Sequence, residues 1–205
     1  MCMNQTQLQF KQIADQLVDM TKNNSFANHF VETPERISKY WLEIMQYAII
    51  RNQCENDIEA MERLLNIKSF DDEIDELSNA NSSKLLLTGP IKVYSVCAHH
   101  YAPILGNVFV GYRPKHKILG LSKLSRIAKL YARQPIVQEL YTEGLYKLLQ
   151  EYTESDHIVV ITYMRHLCME SRGVNDTNSV TLYYYHSLSQ QEFDSVMSTI
   201  HLEKP

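Results

Sequence analysis

The chain has little of what marks several large protein classes. No apolar run in it approaches the roughly 20 residues of a membrane-spanning helix, so no membrane partner is expected. The first residues, Met1-Cys2-Met3-Asn4-Gln5, lack a basic stretch followed by an apolar core, and no secretory leader is expected. The four cysteines, Cys2, Cys54, Cys97 and Cys168, are unevenly spaced and do not make a disulfide framework. Free thiols point to a reducing compartment, which places the protein in the cytoplasm. There is no dense basic stripe with interleaved aromatics, so general nucleic-acid binding is not expected. Internal repeats and low-complexity tracts are also lacking.

What is present is a globular composition. The 205 residues are 44% hydrophobic and 21% charged, which suits a single domain spanning 1–205, with N-terminal helices and an acidic connector to residue 83 and a core from 84 onward. The net charge of −4 is unevenly spread. Between Gln53 and Ala80 nine acidic residues face only Arg63 and Lys68, a local −7 that leaves the rest of the chain at +3. A pocket for a small anion is compatible with that basic remainder.

Periodicity divides the chain at the same place. Leu8, Ile13, Leu17 and Met20 predict a helix over residues 5–22, broken by Asn23-Asn24-Ser25. Thr33-Pro34-Glu35-Arg36 reads as a helix start with Thr33 as cap and Pro34 first in the helix, followed by an apolar stripe of Ile37, Trp41, Ile44, Met45 and Ala48. A short helix over 58–65 and then a loop fill the acidic stretch. From residue 84 the period becomes two. Strands are expected at 85–88, 92–96, 107–113 and 117–121. A helix capped by Ser122 follows, carrying Leu124, Ile127, Ala128 and Tyr131 on one face. Pro135 precedes a second helix over 136–152 with Leu140, Leu145 and Leu148 inward. Strands at 157–163 and 179–185 and a helix at 190–200 complete an α+β chain whose helices lie on one face of an antiparallel sheet.

The chemistry concentrates in Ser95-Val96-Cys97-Ala98-His99-His100 and, far downstream, His166-Leu167-Cys168. One turn can present Cys97 and His100 to one zinc ion, with Cys168 as a third ligand from elsewhere in the fold. Three ligands leave a fourth position for water, the mark of a catalytic rather than a structural site. His99 and His166, each within two residues of a proposed ligand, are placed for proton transfer. On spacing alone, a structural zinc or no metal at all remain open.

More residues then name a family. Cys97-Ala98-His99-His100, Gly106, Val110-Gly111-Tyr112-Arg113-Pro114, Leu119-Gly120-Leu121-Ser122-Lys123-Leu124 and Arg126 resemble the GTP cyclohydrolase I family. So do Val137-Gln138-Glu139, His166-Leu167-Cys168 with Arg172-Gly173-Val174, and the upstream Glu32-Thr33-Pro34-Glu35-Arg36. The resemblance implies a tunnelling fold, in which antiparallel sheets of several subunits join into a barrel, and a homodecamer with active sites at subunit interfaces. It also implies conversion of GTP and water to 7,8-dihydroneopterin triphosphate and formate, the first step of pterin- and folate-type biosynthesis.

The same resemblance assigns roles. Zn2+ would be held by Cys97, His100 and Cys168, and His166 and His99 would be catalytic proton-transfer groups. Glu139 would take N1–H and the 2-amino group of guanine, assisted by Gln138. Ser122, Lys123, Arg126 and Arg172 would bind the triphosphate, joined by Arg36 and Lys39. Two departures stand out: Ala98 replaces the family's Glu between the zinc Cys and the first His, and Val180-Thr181-Leu182-Tyr183-Tyr184-Tyr185-His186 replaces a Thr-rich segment. Ala98 keeps two other functions in play, a catalytically weakened nucleotide-binding regulator and a tunnelling-fold enzyme on another purine or pterin.

Overall fold

The structure, a computed structural model, describes residues 2–22, 24–66, 74–76, 84–115 and 117–205. It opens with helix α1 (Cys2–Thr21) and a 3-10 turn (Asn24–Phe30). Of the apolar residues at helical spacing in α1, Leu8, Ile13, Leu17 and Met20 are exposed, while the small Ala14 and Val18 are the buried ones. α1 lies on α2 (Thr33–Ile44) through the edge-on ring pair Phe10–Trp41, with centroids 5.7 Å apart.

Two expectations at α2 are corrected. Its cap is Glu32 and makes no side-chain capping bond, while Thr33 is already helical, because the preceding turn brings Glu32 in at αR backbone angles. The apolar stripe does not run through one helix either. α2 stops at Met45 and α3 (Gln46–Arg51) starts afresh, because the carbonyl of Arg133 takes the N–H of Tyr47 at 2.9 Å and of Ala48 at 3.4 Å. A distant segment has replaced the helix's own acceptors. α4 (Asp57–Leu65) follows, with Asn56 accepting from the Glu59 N–H and Asn66 ending it in the left-handed region.

The acidic stretch is not all loop after α4: Ile74–Glu76 form strand β1. The remainder of that expected loop, 67–73 and 77–80, lies outside the described residues. β2 (Leu86–Cys97) merges the two strands expected on either side of Gly89-Pro90, with a register irregularity between Thr88 and Ile91. β3 (Pro103–Tyr112) returns antiparallel, and the short β4 (Lys117–Leu119) pairs with β1. After α5 (Leu121–Tyr131), residues Pro135–Ile136 make a two-residue β5 parallel to the end of β2. That displaces the start of α6 (Gln138–Thr153), expected at Ile136. β6 (Ile158–His166) runs into a single helical turn, α7 (Leu167–Glu170), and β7 (Thr181–His186) precedes α8 (Gln190–Thr199). The sheet order is β5-β2-β3-β6-β7, antiparallel apart from β5.

Ser122 is not the cap of α5. Gly120 holds that position and accepts from the Lys123 N–H at 2.8 Å, which leaves Ser122 exposed in the first turn. Leu140 is not inward: it is 60% exposed, and α6 buries Tyr141, Leu145, Leu148, Leu149 and Tyr152 instead. These side chains meet Leu124, Ile127 and Ala128 of α5 and, from the sheet, Val93, Val108, Val110, Ile158 and Val160. α5 and α6 approach closely at Gly144, where any Cβ would run into the Tyr131 hydroxyl. The opposite face of the sheet carries Phe109, Val159 and Ile161 under Phe193 and Val196 of α8. An antiparallel sheet with two helices on one face, preceded by a helical extension, is the α+β architecture expected. No described helix is long and apolar enough to cross a membrane.

Candidate metal and substrate site

The end of β2 builds the first half of the site. Cys97 is buried, and its backbone is fixed on both sides: its N–H donates to the Ala102 carbonyl at 2.8 Å and its carbonyl accepts from the Tyr101 N–H at 2.9 Å. Tyr101 takes a positive φ of 53°, which turns the chain back within Ala98–His100. That turn brings His100 Nδ1 to 3.6 Å from Cys97 Sγ. β5 steadies the same corner through the Ala98 N–H, which donates to the Ile136 carbonyl at 3.3 Å.

The second half arrives through the sheet. β3 pairs with β6 so that Ile104 lies opposite His166. The end of β6 therefore sits beside the Cys97 turn, and α7 carries Cys168 onto it. The ligand atoms of Cys97, His100 and Cys168 all lie within 4.8 Å of one another. Two thiols and an imidazole nitrogen on three sides of one point suit a thiolate-binding transition metal. Burial, and then the neighbouring Cys97 sulfur, push the Cys168 thiol up, against a smaller downward pull from the Arg172 charge. His99 is exposed, its ring edge-on to His100 at 6.1 Å between centroids, and it is not one of the three converging donors.

His166 is half-buried and held by a polar network beneath the sheet end. Its Nε2 lies 3.0 Å from Gln138 Oε1 and 3.0 Å from Thr181 Oγ1. Gln138 Nε2 donates to the carbonyls of Thr162 and Thr181, each at 3.1 Å, and to Thr162 Oγ1 at 3.0 Å. Those acceptors orient the amide with its oxygen toward His166, so His166 Nε2 is the donor and Nδ1 the free nitrogen. Burial lowers the His166 pKa, partly offset by the Glu139 carboxylate.

The other expected residues are distributed as follows. Gln138 is 4% exposed and both ends of its amide are used internally. Glu139, next along α6, is exposed, and its charge reaches His166. Ser122 and Arg126 are exposed on α5 and Lys123 is half-buried there. Arg172 is exposed just after α7 and within electrostatic reach of Cys168. Arg36 and Lys39 stand on α2, paired one turn back with Glu32 and Glu35, the latter at 3.3 Å. Their partners in this chain are thus carboxylates of their own helix. Sequence reasoning missed Thr162 and Thr181; the strand periods around 157–163 and 179–185 carried their signals, since alternate residues must face α6.

Together these features define a class: an α+β protein with a three-donor thiol and imidazole centre beside a buffered histidine and an exposed carboxylate. The profile of the GTP cyclohydrolase I family matches residues 10–199. The chain belongs to that family. A GTP cyclohydrolase 1 from Bifidobacterium longum (strain DJO10A) is 37% identical over 153 residues, 74% of this chain and 68% of the relative. One from Campylobacter curvus is 40% identical over 107 residues, 52% of this chain and 56% of the relative, so the match spans little more than half of that protein. A third, from Campylobacter jejuni, is 26% identical over 200 residues and covers 94% of this chain and 96% of its own length.

Proposed function

We propose that this protein is a zinc-dependent GTP cyclohydrolase I, converting GTP and water to 7,8-dihydroneopterin triphosphate and formate. The observation that carries the reading is the convergence of Cys97, His100 and Cys168 from two ends of the chain. When bound by three protein ligands, zinc supplies water activation near neutral pH.

The chain's own residues then have separate tasks. Glu139, exposed at the start of α6, accepts N1–H and the 2-amino group of guanine as a fork and orients the imidazole ring of the base. His166 exchanges a proton at Nδ1 with guanine N7 while Gln138 and Thr181 hold Nε2. Gln138 serves the base indirectly, through that histidine, since its own amide is occupied. His99, exposed on the turn, serves the proton transfers at C8 and the ribose during ring opening, loss of formate, rearrangement and closure of the pterin ring. Ser122, Lys123, Arg126 and Arg172 hold the triphosphate. Arg36 and Lys39 join them by exchanging their helix carboxylates for phosphate oxygens, in a homodecamer whose active sites lie between subunits. The free thiols of Cys54, Cys97 and Cys168 suit a cytoplasmic enzyme.

The test is turnover of GTP by zinc-loaded protein, followed by pterin absorbance and formate release, beside Cys168→Ala and His166→Ala. Pterin formation falls at least ~100-fold in both, with zinc lost only from the cysteine variant. Fully metallated wild type that binds GTP tightly yet forms no pterin overturns the reading in favour of a nucleotide-binding homologue altered by Ala98.

A further inference from the structure

The third metal donor is carried by a short element with little support of its own. α7 is four residues long, and a helix of one turn has too few internal bonds to hold itself. Its backbone closure is the Ser171 N–H to the Leu167 carbonyl at 2.9 Å. Cys97 and His100, in contrast, sit on a turn locked between two long strands. Something outside α7 must fix Cys168.

The structure contains such a support on the face of the sheet away from the metal donors. Side chains alternate along β6: Val159 and Ile161 face α8, and Arg165 shares their side while His166 faces the site. Arg165 forms a two-pronged ion pair with Glu170, the last residue of α7, through Nε at 2.8 Å and Nη2 at 2.6 Å. The pair is largely out of water, with the Glu170 side chain 10% exposed and that of Arg165 27%. The remaining Arg165 nitrogen donates to the Pro205 carbonyl at 2.9 Å, and the Asp176 N–H donates to the Met169 carbonyl at 3.1 Å. The planar guanidinium is therefore fixed on two sides, and it grips α7 at the end opposite its junction with β6.

We propose that Arg165 and Glu170 are positioning residues for the metal centre: their fork locks α7 so that Cys168 faces Cys97 and His100. The inference rests on the metal-site reading above. A carboxylate held by both prongs of an arginine has one orientation, and through the one intervening residue, Met169, that orientation sets where the Cys168 sulfur sits. Lys at 165 would keep the charge and lose the fork.

The test uses the full chain with Arg165→Met, Glu170→Gln and the exchanged pair Arg165→Glu/Glu170→Arg. Zinc affinity is read by competition with a chromophoric chelator, thiolate coordination by the sulfur-to-metal absorption of the cobalt-substituted protein, and folding by melting of the metal-free form. Each single variant is expected to bind zinc about tenfold or more weakly and to lose part of the cobalt–thiolate band, with metal-free melting little changed. The exchanged pair is expected to recover most of both. Single variants within about twofold of wild type overturn the proposal, as does a loss matched by a general fall in melting that the exchanged pair does not repair. Wild type that binds no zinc removes the metal-site reading itself, a separate and visible failure.

Discussion

The two ends of this chain bury their apolar residues very differently. On the sheet, Ile158, Val159, Val160 and Ile161 are all at 0% exposure, one residue after another, because α5 and α6 cover one face and α8 the other. In α1 the large apolar residues Leu8, Ile13, Leu17 and Met20 stay 44–85% exposed, and among its described side chains Ala14 and Val18 are the fully buried ones, with Phe10 half-buried against Trp41. The edge strand β7 leaves Leu182, Tyr184 and Tyr185 40–46% exposed, while the middle of the sheet completes its core within one chain. The N-terminal helix does not, although its residues follow a helical period. Periodicity reports that a face exists; only the packing tells whether the same chain covers it.

The sharpest break of the comparison is a cavity in the sheet core. Leu145→Ala removes a fully buried side chain between α6 and the sheet, and the expected cost is about 2–5 kcal/mol, read from denaturant unfolding. A cost under ~1 kcal/mol would mean that α6 relaxes into the gap and that the core is looser than its burial indicates.

Alkali probes the same region without mutation. Burial holds the phenols of Tyr47, Tyr141 and Tyr152 above the range of ordinary titration, and Tyr131 is pushed up to about 12 by burial and then by Asp57. A folded pKa above the unfolded value near 10 means that the folded state keeps protons the unfolded state would release. This stability is fully present below about pH 10 and is lost as pH rises toward 12 and beyond. Phenolate absorbance is expected to rise in two stages, exposed tyrosines first and these four together with unfolding. Titration of all 13 tyrosines in one smooth stage, with the fold intact, would contradict the packing.

A smaller effect is expected at the rim of the sheet. Ser189 caps α8 in a reciprocal capping box with Glu192, its Oγ accepting the Glu192 N–H at 3.4 Å. Ser189→Ala is expected to cost about 1 kcal/mol, measured as a shift in the denaturant midpoint, with metal binding unchanged because α8 lies on the face away from the donors.

How much of this could be read from the sequence follows the distance between partners. Cys97 and His100 are three residues apart, so their shared turn was visible, and Cys168 was visible as chemistry though not as a neighbour. The break at Met45 depends on the Arg133 carbonyl, 88 residues further along, and no local pattern could announce it. Ser122 looks like a cap by residue type, yet Gly120 takes the position because the chain leaves β4 two residues earlier than the apolar pattern indicates. Leu140 fits the helical period equally well on paper. Tyr141 wins the buried face because its hydroxyl finds the Ala128 carbonyl at 2.8 Å, which lets a larger ring be buried with its polar end satisfied. Arg165 and Glu170 straddle a strand–helix junction, where neither the period of two nor that of 3.6 relates them.

The smallest expected effect sharpens the comparison most. Met20→Ser, at 85% exposure, removes no contact that the single chain makes, so the fold of one chain should change by no more than about 0.5 kcal/mol. If copies associate through α1, the substitution acts on association instead, and the unfolding midpoint of wild type depends on protein concentration while that of Met20→Ser depends on it less. Unfolding measured across a wide concentration range separates the cases. A midpoint independent of concentration, and equal in both proteins, would mean that α1 presents its apolar residues to water, and that the difference between the two ends of the chain is complete within one copy.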